Sequence, residues 1–504
     1  MTDLLHLLDR EAPEIRKSSD LRARRAWSRD CWPLYQIRYW ERPIEHLPAV
    51  VAWPDSTEAV AKLYRIASEH GVSVTPICSG SGVVGGGVPE SGGLVVDLKF
   101  LDRKLEIHGE DGVAIAEAGM NGQVLEDRLN ASGYTCGHFP SSIMMSSPGG
   151  WLAARGAGQL STRYGTFPDR VRGCRWVWPD GTIEDLTCDG ANDGLLELLT
   201  GSEGTMGAAT EVRFRIDPLP EARLFSAWSF RTVAEAVNAM RRLLQAGVRP
   251  AAVRLYDPLD ALLHRSLRKG PVPEAEQVSG GITAQQHELP GGKLLRRVIR
   301  MGLQSPGPAQ ALAERLSPTS MLVLMFEGPG ESVRWQYNTA NQLLEGSGLS
   351  LGDAPARAWY QKRYSITGKQ AALVQAGAFF DTMEVAFSWA DLVRGYEAVR
   401  AALRGQVLLM AHISHVYPDG GCIYFTFTGY RPDRFENERH YREVWRLALD
   451  AVASVGGTVT HHHGVGVLKA RWLPGEWQGG YTWLKLAKHA IDPQQIANPG
   501  KLGL

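Results

Sequence analysis

The 504-residue chain lacks several features that announce particular functions. It has no excess of either charge, since 54 Lys and Arg stand against 54 Asp and Glu. A nucleic-acid partner needs clustered cationic side chains to neutralise phosphates, so this balance argues against one. No run approaches the ~18 consecutive apolar residues that a membrane-crossing helix requires. The opening Met1-Thr-Asp-Leu-Leu-His6 lacks the charged-then-apolar layout of a secretory signal. Six cysteines, Cys31, Cys78, Cys136, Cys174, Cys188 and Cys422, are scattered without a Cys-x-x-Cys pair. That spacing excludes a disulfide framework and a cysteine zinc site, and the expectation is a soluble protein of the reducing cytoplasm. Internal repeats and low-complexity tracts are also missing.

Glycine, by contrast, is plentiful, with 55 residues, so many backbone positions need its conformational freedom. Residues 1–45 are rich in Arg and Trp and read as a helical lead-in. Val50–Trp53 predicts a short strand ended by Pro54. Asp55, three residues before Glu58, marks a helix start, and Gly71 sits where that helix should end. Val72–Val74 is the next strand and feeds a glycine-rich loop. Leu94–Leu98 and Val113–Ala116 are further strands of an α+β region reaching about residue 220. From 221 to 455, strands such as Met321–Met325 and Ile423–Phe427 alternate with helices such as Val233–Leu244 and His440–Val455. That alternation suits an antiparallel sheet covered by helices. Residues 266–306 are Gly/Pro-rich and basic, and are expected to be a mobile insertion.

Three glycine-rich segments stand out in order. Pro76-Ile77-Cys78-Ser79-Gly80-Ser81-Gly82, continuing to Gly87, follows a strand and allows successive backbone N–H groups to face one concavity. Such a nest suits a pyrophosphate. No Lys follows as in a P-loop, and no helical pattern opens as in a Rossmann turn. Ser146-Ser147-Pro148-Gly149-Gly150-Trp151, running on to Gly158, and Gly201–Gly207 repeat the theme of small residues that let a backbone approach a flat or anionic ligand.

With Gly133–Pro140, Ala252–Asp257 and His461–Gly466, these segments resemble the FAD-binding vanillyl-alcohol oxidase and p-cresol methylhydroxylase superfamily. Within it, the nearest resemblance is to the alkyldihydroxyacetonephosphate synthase family. The resemblance implies that Pro76, Ile77, Cys78, Ser79, Gly80, Ser81 and Gly82 wrap the FAD pyrophosphate. It also implies that Ser141, Ser142, Ser146, Ser147, Gly149 and Gly150 line the cofactor, together with Ala154, Arg155, Gly156, Ala157, Ser202, Glu203, Gly204 and Gly207. The histidine that attaches FAD covalently in some members is missing, and Cys78 reads as a packing residue, so FAD is expected to be dissociable.

His461, His462 and His463 are consecutive, and three imidazoles are costly to bury for packing alone. An extended backbone would point His461 and His463 one way and His462 the other. Tyr424, in Gly420–Phe427, would share a strand face with Cys422 and Thr426. The resemblance makes Tyr424 a proton donor or acceptor and His461–His463 the active-site histidines. One departure bears on substrate. Gln370, beside Lys369, stands where the synthase family has a substrate-contacting Arg, and Gln does not replace a guanidinium fork. His412–Gly420 occupies the place of a metal motif in related FAD-dependent 2-hydroxyacid dehydrogenases, but only fragments survive. No metal is assigned, and His415, with Lys369 and Gln370, is read as substrate-contacting. In 293–303, Lys293, Arg296, Arg297 and Arg300 fall on one helical side, which suits a solvated helix or contact with an anionic membrane surface.

The resulting expectation is an α+β protein. A two-subdomain FAD-binding domain (1–219) and an antiparallel-sheet cap with helices (220–455) would be followed by a C-terminal segment (456–504) returning to the FAD domain. The substrate would be a small molecule or lipid-like, and the protein a homo-oligomer. Three functions remain open: a synthase-like, redox-neutral exchange at the flavin with Tyr424 and His462 moving protons, a 2-hydroxyacid dehydrogenase or oxidase, and a non-catalytic flavin-binding scaffold.

Overall fold

The computed structural model describes residues 2–38, 45–189, 193–266, 300–316, 318–364, 373–374 and 376–504. The chain forms two units. The first comprises Met1–Glu221, Glu384–Ala386 and Thr458–Leu504, and the second Ala222–Met383 and Phe387–Gly457.

In the first unit, β1 (Arg16–Ser18), β2 (Val50–Trp53), β3 (Val74–Ile77) and β4 (Leu94–Asp97) form a sheet ordered β1–β2–β4–β3. β4 pairs in parallel with both β2 and β3. Parallel strands are covered on both faces and therefore read as unbroken apolar runs. Accordingly Val50, Val51, Ala52, Leu94, Val95 and Val96 are all buried. The helix Thr57–Glu69 packs on this sheet through Val60, Leu63, Tyr64 and Ala67. Its cap is Ser56, whose Oγ accepts from Ala59 N at 3.1 Å, and not Asp55, whose backbone carbonyl takes the Arg103 guanidinium. Gly71 follows the helix in the left-handed conformation, at φ +62°.

β5 (Leu105–His108), β6 (Val113–Glu117), β8 (Val171–Val177), β9 (Ile183–Thr187) and β10 (Ala208–Arg215) make a second, antiparallel sheet ordered β5–β6–β10–β8–β9. β7 (Tyr134–Thr135) pairs with β11 (Asp217–Pro218). The core beneath is aromatic, with Trp151, Phe167, Trp176 and Phe214 buried together.

In the second unit, β12 (Ala222–Phe230), β13 (Ala252–Tyr256), β14 (Ser320–Gly328), β15 (Leu349–Gly352), β16 (Phe379–Ser388), β17 (Leu408–Val416) and β18 (Gly420–Gly429) form one sheet. Its order is β15–β12–β14–β13–β17–β18–β16. Every residue of the central β14 is buried. The helix Arg434–Val455 starts six residues before the expected His440, because Asp433 caps it by accepting from Glu436 N. Gly456 ends it at φ +80°.

The basic segment 293–303 lies outside the described residues up to 299. Its described end is packed: Arg300 Nε donates to Ala376 O at 2.7 Å, and Leu303 is buried with Ala378 and Tyr430. Arg300 itself stays exposed, as does Met301 beside it. Among the described residues no helix is long and apolar enough to cross a membrane.

Candidate active site

The predicted cofactor segments converge within the first unit. Ser79 leaves β3 and donates from Oγ to Ser147 Oγ at 3.0 Å. Gly149 packs so closely that a Cβ there would lie 2.8 Å from Cys78 Sγ and from Ala118 Cβ. Cys78 is thus a packing residue, and burial pushes its thiol up to about 12. Backbone bonds join the second and third segments, from Gly201 N to Leu152 O and from Glu203 N to Ala153 O. Gly204, at φ +78°, lies where a Cβ would meet Pro76 Cγ at 2.5 Å, so only glycine lets these loops approach. The other predicted residues line the same stretch. Ser141 Oγ accepts from Gln159 Nε2 at 3.0 Å, while Ser142 opens a short turn. Ser146 Oγ is occupied by Trp151 Nε1 at 2.8 Å. Arg155, at a left-handed φ of 52°, turns to Thr200 O. Gly150, Ala154, Gly156 and Ala157 belong to this turn, and Gly207, at φ +116°, closes the third segment against Val177.

Glu203 also makes a tie within the unit. Its carboxylate accepts from Val465 N at 2.5 Å and Gly466 N at 2.8 Å, so it anchors the C-terminal segment to the loops. Burial pushes this acid up to about 7. Asn498 adds a second tie, donating to Glu203 O at 2.6 Å and Gly86 O at 3.0 Å.

Several buried polar atoms in this unit lack a partner: both ring nitrogens of His138, Ser202 Oγ and Asn498 Oδ1. Such deficits are rare, and ordered water or a polar ligand can satisfy them. The His138 ring lies between Trp151 and Phe167, at 4.5 and 5.0 Å, and burial lowers its pKa to about 3, so it is neutral. A cradle of glycines without room for side chains, with unmet donors and acceptors around it, fits FAD.

The three histidines do not lie in a strand. Residues 461–463 bend around one buried oxygen: Glu384 Oε1 accepts from the backbone N of His461, His462 and His463 at 3.1, 3.2 and 2.8 Å. Thr460 Oγ1 adds a fourth bond to it at 2.8 Å. The expected in–out alternation fails because a carboxylate that gathers successive N–H groups needs a concave turn. Glu384 is fully buried. Burial alone would raise its pKa, but the Lys469 ammonium, 2.6 Å from Oε2, and His463 hold it well below the usual carboxylate range. His461 Nδ1 lies 3.0 Å from His462 Nδ1. Burial lowers His461 to about 4 and also lowers His463, so both are neutral, proton-accepting imidazoles near pH 7. Sequence reasoning missed Glu384. Its signal was a buried-looking carboxylate, near Asp381, in the segment Asp381–Val385 of β16, which resembles an acidic strand of the synthase family.

In the second unit, Tyr424 of β18 lies directly opposite His412 of β17, which is opposite Tyr256 of β13. The His412 and Tyr424 rings stack at 4.8 Å and 19°. His412 Nε2 is 2.6 Å from an Arg254 guanidinium nitrogen, and its Nδ1 is 3.1 Å from Asp260 Oδ2. His415 is the bulged residue between Ser414 and Val416, buried at φ +60°. Arg254 and Asp260 went unassigned in the sequence, although Arg254 sits in a segment that carried the resemblance. Lys369 and Gln370 lie outside the described residues.

Residues 219–502 match the family of FAD-linked oxidases, C-terminal domain, and residues 48–187 match an FAD-binding domain. The alkyldihydroxyacetonephosphate synthase of Trypanosoma brucei brucei is 28% identical, covering 97% of this chain and 78% of the relative. A glycolate oxidase subunit of Bacillus subtilis is 26% identical, covering 95% of this chain and 92% of that protein. Among solved structures, an alkyldihydroxyacetonephosphate synthase superposes with a TM-score of 0.76 at 25% identity, covering 99% of this chain and 84% of that one. A p-cresol methylhydroxylase superposes at 0.72 with 14% identity over 100% and 97%, which shows the shared fold. The glycine loops and these matches agree on FAD as the cofactor. The chain belongs to the FAD-linked oxidase family and is an FAD-dependent enzyme of the p-cresol methylhydroxylase fold.

Proposed function

We propose that this enzyme performs synthase-like, redox-neutral chemistry on a small or lipid-like substrate, with Tyr424 and the histidine turn transferring protons. The observation that carries this reading is the histidine turn itself. A fully buried carboxylate fixes all three backbone N–H groups, so the imidazoles are presented by a rigid turn and not by a mobile surface run. His461 and His463 are neutral near pH 7 and so each keeps one nitrogen that can accept a proton, which bound cofactor and substrate would make more basic. FAD, when bound, supplies an electrophilic and redox-active ring system for the substrate carbon. The remaining tasks fall to the chain. Pro76–Gly82 and Ser202–Gly207 hold the cofactor, Glu203 and Asn498 fasten the C-terminal segment to those loops, and Tyr424 exchanges a proton through its hydroxyl.

The alkyldihydroxyacetonephosphate synthase relatives support the redox-neutral form. The glycolate oxidase relative supports a second reading, in which a 2-hydroxyacid is oxidised and a histidine takes the hydroxyl proton. Anaerobic mixing of the holoenzyme with candidate substrates tests them. Substrate conversion with no net bleaching of the flavin spectrum is expected for the synthase-like reaction, and stable bleaching by a 2-hydroxyacid establishes the oxidative one.

A further inference from the structure

Arg254 presents a cation that the second unit leaves uncompensated. One guanidinium nitrogen donates to His412 Nε2 at 2.6 Å, and the group lies over the rings of Tyr256 and Trp359 at 5.5 and 6.0 Å. Its Nε is buried without a hydrogen-bond partner. The nearby carboxylate of Asp260 is turned to His412 Nδ1 instead. Among the described residues, no carboxylate reaches ion-pair distance of Arg254. A guanidinium held only by neutral groups, with an unmet buried donor, is complementary to an oxyanion.

The arrangement also fixes the hydrogens. Arginine only donates, so His412 Nε2 must accept, Nδ1 must carry the proton, and that proton must point to Asp260. Burial, reinforced by Arg254, lowers the pKa of His412 to about 4, consistent with a neutral ring. Asp260 thus sets the tautomer of His412, and His412 sets the direction of the guanidinium. Tyr424 stacks on the other partner in this relay, on the same face of the sheet.

We propose that Arg254 is the oxyanion anchor for the substrate, binding a carboxylate or phosphate group, and that Asp260 and His412 are the residues that position it. It supplies a guanidinium that the sequence does not have at Gln370. That the bound anion is substrate rests on the proposed function. That Arg254 binds an anion does not.

Titration calorimetry of the holoenzyme with acetate and, separately, inorganic phosphate tests the site, and the tighter probe identifies the head group. At least one should bind at a single site, and Arg254→Met should weaken it roughly 10–100-fold, the loss typical of a charged hydrogen bond. His412→Phe keeps a ring on Tyr424 but loses both nitrogens, and should weaken binding by about tenfold. His412→Gln retains an acceptor for Arg254 and a donor for Asp260, and should restore affinity to within a few-fold. A merely structural His412 would favour Phe over Gln. Wild-type protein that binds neither anion, or Arg254→Met that binds as well as wild type, would overturn the proposal. If binding depends on Arg254 yet Tyr424→Phe keeps full turnover, the anion site stands and the proton-transfer role of Tyr424 falls.

Discussion

Glu384 in the first unit and Arg254 in the second are both charged groups withdrawn from water, yet their surroundings are opposite. Glu384 is saturated: three backbone N–H groups, a threonine hydroxyl and the Lys469 ammonium surround its two oxygens. Arg254 is held by an imidazole and aromatic faces, with one donor unmet. A saturated charge is a fastening, and it makes the histidine turn rigid before any ligand arrives. An unsaturated charge is an invitation, because the protein bears a desolvation cost that only an incoming anion offsets.

The contrast is sharpest in stability. Glu384→Leu strands the fully buried Lys469 ammonium and frees four donors, and should cost about 3–5 kcal/mol in urea unfolding, the range for breaking a buried ion pair. Arg254→Met removes a charge that no carboxylate compensates and should change stability by about 1 kcal/mol or less. Equal losses in the two variants would erase the distinction.

A second test moves to the cofactor loops. Gly204→Val must adopt φ +78° and place a Cβ 2.5 Å from Pro76, whereas Gly80→Val, at φ +68°, meets only Ile77 at 3.7 Å. Strain at such backbone angles costs on the order of 1–3 kcal/mol. Flavin content after purification should therefore fall further in Gly204→Val than in Gly80→Val. Acid precipitation of wild-type protein should release the flavin into the supernatant, since burial raises the Cys78 thiol and disfavours its reactive thiolate.

The smallest effect expected is on pH dependence. Burial pushes Asp257 up from 3.8 to about 7, with the Ala411 N–H and Arg400 acting against it. Because the folded protein holds this proton more tightly than the unfolded chain, the contribution to stability is full below about pH 4. It is lost as pH rises through about 7. Glu384, whose pKa is lowered, works in the reverse sense and loses its contribution as pH falls below the ordinary carboxylate range. Asp257→Asn should thus flatten the fall in melting temperature between pH 5 and pH 8. An unchanged slope would show that Asp257 is charged throughout.

The sequence made the cofactor loops legible because their chemistry is local: glycine after a strand, small residues in runs, and three histidines in a row. The partners that give those residues their geometry are distant in the chain. Glu384 reaches residues almost eighty positions away, and Arg254 and Asp260 meet His412 only because β13 and β17 pair in the sheet. Local patterning also misjudged the shape of the histidine segment, since periodicity describes strands and helices but not a turn closed around an ion. Ser56 beat Asp55 as a helix cap by a one-residue difference in geometry that the pattern does not encode. Glu203 sits in a glycine-rich loop, and its further role as a tie became visible only with Val465 and Gly466 beside it.

The proposed function makes proton donors or acceptors of Tyr424 and of the Glu384-anchored histidines, acting in one reaction. Its most direct test is turnover, at equal flavin content, of Tyr424→Phe, His462→Ala and the double variant, using the substrate found by anaerobic screening. Each single change should lower turnover by roughly 10²–10⁴-fold, and the double should be little worse than the poorer single, as for groups that act as a unit. A Tyr424→Phe enzyme retaining most of its turnover, or losses that multiply in the double variant, would contradict the account.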